Sequence, residues 1–182
     1  MRSNVSTSAA AWLAAGPIRI ADPKKVLATF KPGTAQVVRF SGSHGLLRAA
    51  GWSTKDQRQA SAYGSWWVDE HVLANIAARL SMYEGWLPPK MIGQAVSARY
   101  RAAVALCEDW NDMGEVYRMQ LGALDTLEGL AGITAPQPQA SSMDPRQSST
   151  PMLAGGAEQI FFKKTPGLSS INPLWVYRHH LI

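Results

Sequence analysis

Four short apolar runs, each bounded by turn-forming residues, constrain the fold of this chain most strongly. They read QVVRF at 36–40, SWWV at 65–68, QIFF at 159–162 and LWVY at 174–177. Such β-branched and aromatic residues favour strands, and the Gly, Pro and Ser residues around the runs mark where strands end. The sequence therefore predicts a core of short β-strands.

Between residues 69 and 130, the pattern changes to a helical one. Apolar residues recur there every three or four positions, in three groups: Val72, Leu73, Ile76, Leu80 and Tyr83; Ile92, Val96, Tyr100, Val104 and Cys107; and Met113, Val116, Tyr117, Leu121, Leu124 and Leu127. This spacing is typical of amphipathic helices, which become stable by packing against other elements. Asp69 and Glu70 suit the first turn of the first helix. We therefore expect an α+β fold, with a short-stranded β core and an amphipathic helical middle segment.

The 182 residues fit one domain with a modest appendage. Residues 1–16 are predicted to form a flexible or weakly helical leader, because their Ala-rich patch is too weak for a secretory signal. Residues 17–182 form one α+β domain, with a Pro/Ser-rich loop at 135–151. No apolar run approaches the roughly 18 residues that cross a bilayer, so we expect no membrane insertion. The expected location is the cytoplasm, or a target cell into which the protein is delivered.

The net charge of +5 is unevenly distributed. Residues 1–68 carry nine Lys or Arg against two acidic residues, whereas residues 69–130 carry five against nine. The basic first third favours anionic ligands such as phosphates, nucleotides or nucleic acid. Two functions follow from charge alone. One is a non-catalytic interaction module that uses an acidic helical face at 69–130, and the other is a basic nucleic-acid-binding protein.

Sequence motifs with strong chemical meaning are absent. The chain has no P-loop, GxGxxG, HExxH, GxSxG or EF-hand loop, and its single cysteine, Cys107, excludes an intramolecular disulfide. The four histidines, His44, His71, His179 and His180, lack ligand spacing with a carboxylate. We therefore expect no metal site.

Arg39 is the only charged residue in the first predicted strand. An arginine within a core strand requires an anionic partner, because long charged groups are rarely buried unpaired. Its planar fork suits the two oxygens of a pyrophosphate. A salt bridge to a carboxylate such as Asp69 or Glu158 would also satisfy it.

Three features occur in a suggestive order. Arg39 lies on a first strand, SAYGS at 61–65 leads through a second strand into a helix, and GGAEQ at 155–159 opens a late strand. This order resembles the mono-ADP-ribosyltransferase toxin and effector family of the Arg–Ser–Glu type. The resemblance implies an ADP-ribosyltransferase-like fold, with NAD as the substrate. The implied activity is cleavage of the nicotinamide–ribose bond, with ADP-ribose passed to a protein or nucleic-acid acceptor or, in an NAD glycohydrolase, to water.

The resemblance also assigns roles to residues. Arg39, with the adjoining Ser41 and Gly42, would hold the phosphates of NAD, and Ser61 or Ser65 would hold the cleft together. Tyr63, Trp66 and Trp67 are candidates for stacking on nicotinamide.

The catalytic position falls to Glu158, whose carboxylate would stabilise positive charge on the ribose. If the strand register shifts by one residue, Gln159 takes that position and the negative charge is lost. The loop at 135–151 comes just before Glu158, so we expect it to border the cleft.

Overall fold

The computed structural model describes residues 1–16, 22–42, 45–50, 65–81, 89–106, 115–121, 124, 126–140, 142–163 and 177–180. The elements within these ranges are, in chain order, β1 (Arg2–Asn4), α1 (Ala9–Ala14), α2 (Pro23–Ala28), β2 (Gln36–Ser41), β3 (Gly45–Ala50), β4 (Trp66–Asp69), α3 (Glu70–Ser81), α4 (Pro89–Ala103), β5 (Glu115–Gln120), β6 (Thr126–Ile133), β7 (Gln137–Pro138), β8 (Met152–Leu153), β9 (Glu158–Phe161) and β10 (Tyr177–His180).

Eight of these strands form one antiparallel sheet, in the order β1-β2-β6-β9-β4-β3-β5-β10. The short strands β7 and β8 pair separately as a hairpin. The prediction of a mixed α+β fold built on short strands is confirmed.

Three of the four predicted strands are present as β2, β4 and β9. The fourth strand, β10, begins at Tyr177, the last residue of its predicted run, and residues 174–176 lie outside the described ranges. The sequence did not predict β3, whose residues GLLRAA include two alanines and a glycine, which are poor strand formers.

The helical prediction is right for its first two groups and wrong for the third. The first two correspond to α3 and α4, whereas the described residues of the third group lie in β5, in β6 and between them. Tyr83, Cys107 and Met113 lie outside the described residues. Leu124, which a helix would place on the apolar face, is 96% exposed. Most of β6 is buried, including residues 129–132 in succession, so it lacks the polar–apolar alternation that distinguishes a half-buried strand.

Residues 1–16 also differ from the expectation, because they are part of the packed structure. β1 pairs with β2, and Trp12 and Leu13 of α1 are buried against Val37 and Phe161. The ammonium group of Lys163, just after β9, donates hydrogen bonds to the carbonyls of Trp12 and Ala15. The same group lies 4.5 Å from the centroid of the Trp12 ring, and its burial lowers the pKa of Lys163.

The sheet has two apolar faces. One face, here called the helix-covered face, packs Val37, Leu130 and Phe161 under α1 and α2, and Val68 under α3 and α4. The opposite face forms a single cluster, made of Val38, Phe40, Leu46, Trp67, Met119, Leu121, Leu127, Ala131, Ile160 and Phe162. Strands β2, β3, β4, β5, β6 and β9 all contribute to this cluster.

Gly129 in β6 is required for this packing. A Cβ atom at this position would lie 2.6 Å from Phe162 Cε1 and 2.9 Å from Ile160 Cγ2. The aromatic side chain of Phe162 therefore occupies the space that any larger residue at position 129 would need.

The Pro/Ser-rich loop at 135–151 contains β7 and leads into β8, with which β7 pairs as a hairpin. Within it, the Arg146 guanidinium donates two hydrogen bonds of 2.9 Å to the Asp144 carboxylate, which lowers the pKa of Asp144. Among the helices in the described ranges, none is long and apolar enough to span a membrane.

The contact of Lys163 with α1 yields a test. We expect Lys163→Met to lower the free energy of unfolding by about 1.5–3 kcal/mol, because two carbonyls lose a charged hydrogen-bond donor. Urea unfolding would measure this, with the exposed Lys24→Met as the matched control. Equal stabilities of the two variants would contradict the role of Lys163.

Candidate functional site

A cavity of about 350 Å³ opens on the helix-covered face, between α2 and the end of α4. Its volume lies within the range of small-molecule sites. Twelve described residues line it: Lys25, Val26, Thr29, Arg48, Trp66, Tyr100, Val104, Ala105, Leu106, Gln137, Gln159 and Phe161.

The sheet forms the floor of the cavity. Trp66 in β4 is directly opposite Phe161 in β9, and their ring centroids are 4.8 Å apart. Gln159 is two residues before Phe161 and therefore lies on the same face of the sheet. Strand alternation thus brings two aromatic rings and one amide side chain to the same surface.

Helices form the walls. α2 contributes Lys25 and Val26, and Thr29 caps its C-terminal end. Asp22 caps its N-terminal end, where its side chain accepts a hydrogen bond of 3.1 Å from the Lys25 backbone N–H. On the other side, Tyr100 comes from α4, and Val104–Leu106 continue the chain beyond that helix.

The charged groups of the described lining are both cationic. The Lys25 side chain is 86% exposed at the rim, and its ammonium group lies 3.6 Å from the Asp22 carboxylate. The Arg48 guanidinium donates a hydrogen bond of 2.9 Å to the Trp66 carbonyl, which fixes the arginine beside the aromatic floor. Asp22 is not among the described lining residues, and none of those residues is acidic.

Two of the residues predicted from the sequence lie in this cavity, namely Trp66 and Gln159. Gln137, from the loop that we expected beside the cleft, also lines it. Trp67, the other described stacking candidate, is buried on the opposite face of the sheet.

Arg39 lies outside the cavity. Its guanidinium donates hydrogen bonds of 2.6 and 3.1 Å to Glu128 in the neighbouring strand. Its anionic partner is therefore a carboxylate, although neither of the two that we considered. On β6, the residues opposite Arg39 and Gln159 are Glu128 and Gly132, four positions apart, a spacing of about 13 Å along the strand.

Glu158 lies on the other face of β9 from Gln159 and joins a different cluster. Arg2 donates two hydrogen bonds, of 2.5 and 2.6 Å, to its two carboxylate oxygens. These bonds raise the pKa of Arg2 above its usual value, against the opposing effect of burial, and the negative charge of nearby Asp69 adds to the rise. The buried Asp69 carboxylate also lies 2.6 Å from Nδ1 of His71.

The remaining predicted residues are separate from the cavity or undescribed. The backbone of Ser41 pairs with that of Met1, and Gly42 follows it with a φ of +68°. The Ser65 carbonyl accepts a hydrogen bond of 2.7 Å from the Phe162 N–H. Ser61 and Tyr63 lie outside the described residues.

The acidic helical face expected at 69–130 stays a prediction, because most of its acidic side chains lie outside the described residues. Within the described ranges, residues 115–120 and 126–133 are strands and not helices. Glu70 is paired with Arg118 at 2.8 Å and Glu128 with Arg39, whereas Asp69 contacts a ring nitrogen of His71.

The sequence patterns did not point to the cationic residues of the cavity. Arg48 has the same feature as Arg39, since it is the only charged residue of an apolar strand, GLLRAA. The sequence around Lys25 shows no comparable pattern. Its position at the rim depends on how α2 packs over the sheet.

No protein-family model matches this chain, and comparison with curated proteins and with solved structures finds no significant match. Within the described ranges, no group of three or more His, Cys, Asp or Glu side chains is arranged to hold a metal ion.

The Arg2–Glu158 contact is open to direct measurement. We expect a double-mutant cycle with Arg2→Ala and Glu158→Ala to give a coupling free energy of about 1–3 kcal/mol, because both side chains are mostly buried and paired through two hydrogen bonds. The more exposed Arg39–Glu128 pair is the control and should give about 0–1 kcal/mol. Similar coupling in the two pairs would contradict a structural role for Glu158.

Proposed function

We propose that this chain binds a nucleotide in the cavity between α2 and α4, with NAD as the candidate that its sequence favours. The observation that carries this proposal is the composition of the cavity, which is lined by aromatic rings, amide groups and two cationic side chains. A nucleotide presents a flat base, polar base edges and negatively charged phosphates. Its binding site therefore needs all three classes of side chain.

The aromatic floor supports binding of a base or of nicotinamide. Trp66 is only partly buried, and Phe161 and Phe30 pack against its ring, with centroids 4.8 and 5.7 Å away. A ring held by its neighbours loses little conformational entropy on stacking. Gln137 and Gln159 add donors and acceptors for the polar edges of the base.

The cationic side chains support binding of phosphate. Arg48 adds a guanidinium charge to the lining, and Lys25 offers a mobile point charge at the rim. The described lining contains no carboxylate, and the Asp22 carboxylate lies beside Lys25 at the rim, 3.6 Å from its ammonium group.

The ADP-ribosyltransferase activity and fold suggested by the sequence stay predictions. In this cavity, the residue beside the ligand is Gln159, a neutral amide, whereas Glu158 is paired with Arg2 on the other face of β9. Cleavage of the nicotinamide–ribose bond needs a negative group close to the ribose. We therefore propose binding as the function of the described cavity. Transfer to a protein or nucleic-acid acceptor is a separate step to be tested.

The proposal predicts that NAD and ADP bind and that Lys25→Gln weakens both by about threefold to tenfold, because one charge contact to phosphate is lost. Calorimetric titration at low salt would measure the affinities. The neighbouring Lys24→Gln is the matched control, since Lys24 is exposed on the same helix but does not line the cavity. Absence of binding in the wild type, or equal losses in the two variants, would refute the proposal.

Turnover separates binding from catalysis. Nicotinamide release from NAD would be compared in the wild type, Glu158→Gln and Gln159→Ala. Binding without release supports a nucleotide-binding role. Release that Glu158→Gln abolishes, in a variant that remains folded, would support the predicted transferase and contradict the purely structural role of Glu158.

A further inference from the structure

A second concave surface lies between α3, α4 and the segment that follows β8. It has a volume of about 430 Å³ and is here called the arginine groove. Its described lining consists of Ile76, Arg79, Arg99, Ala102, Ala103, Ala154 and Gly155. Two arginines from different helices thus line one groove whose other lining residues are small or apolar.

These two arginines differ from the other arginines whose side chains the structure describes. Four of those form ion pairs with carboxylates, namely Arg2, Arg39, Arg118 and Arg146. Arg48 and Arg101 donate hydrogen bonds to backbone carbonyls. For Arg79 and Arg99, the described part of the chain supplies neither an ion pair nor a hydrogen bond.

The carbonyl groups at the end of α4 do not explain the position of the Arg99 side chain, because they have other partners. Cationic side chains often lie in the last turn of a helix, where they interact with unpaired carbonyls. Here, the Gly155 N–H bonds to the Ala102 carbonyl at 2.9 Å, and the Ala157 N–H bonds to the Ala103 carbonyl at 3.0 Å. Thr134 Oγ1 also donates to the Ala103 carbonyl, so these carbonyls already have partners.

The backbone that closes the groove depends on glycine. Gly155 has a φ of +65°, and a Cβ atom there would lie 2.6 Å from the Thr134 carbonyl oxygen. This close approach allows the chain to bond to the end of α4 and to form the groove wall. Hydrogen bonds to the end of α4 therefore hold this wall of the groove in place.

We propose that the arginine groove binds an organic phosphate monoester. Arg79 and Arg99 are both exposed at the groove, and each guanidinium can offer parallel N–H donors to phosphate oxygens, so a bound anion would offset the like charges of the two groups. Ile76, Ala102 and Ala103 provide an apolar surface for the organic part of the ligand. This site is distinct from the nucleotide cavity, since the two have no lining residue in common.

The test is calorimetric titration with phenyl phosphate and inorganic phosphate. We expect phenyl phosphate to bind the more tightly, because it adds apolar contact to the charge interaction. Arg79→Gln and Arg99→Gln should each weaken binding by about tenfold or more, whereas the exposed, Asp144-paired Arg146→Gln should not change it.

Thermal denaturation would show that the variants remain folded. Wild-type protein that binds neither probe would overturn the proposal, as would unchanged affinity in the double variant Arg79→Gln/Arg99→Gln. Loss of binding in Lys25→Gln but not in the arginine variants would place the anion in the nucleotide cavity and would also overturn it. These outcomes are independent of whether NAD binds.

Discussion

Successive side chains of β9 and of Phe162, the residue after it, enter different parts of the protein. Gln159 and Phe161 face the cavity, whereas Ile160 and Phe162 lie in the cluster on the opposite face of the sheet. Glu158, on the same side as Ile160, pairs with Arg2. Because β9 lies between β6 and β4, hydrogen bonds on both sides fix its register. A shift of one residue would move Gln159 to the face of the apolar cluster and Ile160 to the face of the cavity, so packing opposes it.

This register also decides what the two candidate catalytic residues can do. Adjacent residues of a strand point to opposite faces and cannot both contact one ligand in a cavity on one face. A nucleotide on the floor formed by Trp66 and Phe161 therefore meets the amide of Gln159. An amide can bind a base edge or a hydroxyl group, but it stabilises a developing cation far less than a carboxylate does. The geometry of the described cavity thus favours recognition over bond cleavage.

The sequence predicted those elements whose local pattern is unambiguous. The aromatic runs of β4 and β9 and the helical spacing of α3 and α4 are examples. The pattern failed in β6, where burial on both faces removes the alternation that identifies a strand. It also failed to predict the burial of α1, which packs against Val37 and Phe161 and is bonded to Lys163, about 150 residues further along the chain. In the site, Trp66 and Gln159 were identified, but Lys25 and Arg48 meet them only through the packing of α2 and the pairing of β3, which local sequence does not encode.

The distribution of paired and unpaired charges connects the two proposed sites. Each acidic side chain that the structure describes contacts a basic one: Asp22, Asp69, Glu70, Glu128, Asp144 and Glu158. These carboxylates are largely neutralised by neighbours, which weakens their effect on an approaching ligand. The positive field around the described part of the chain is therefore set by cations without such partners, among them Arg79 and Arg99. Such a field attracts anions to the arginine groove. In our proposals, the arginine groove would select for the phosphate group itself, whereas the nucleotide cavity, whose Lys25 is paired with Asp22, would select for a base through its aromatic floor.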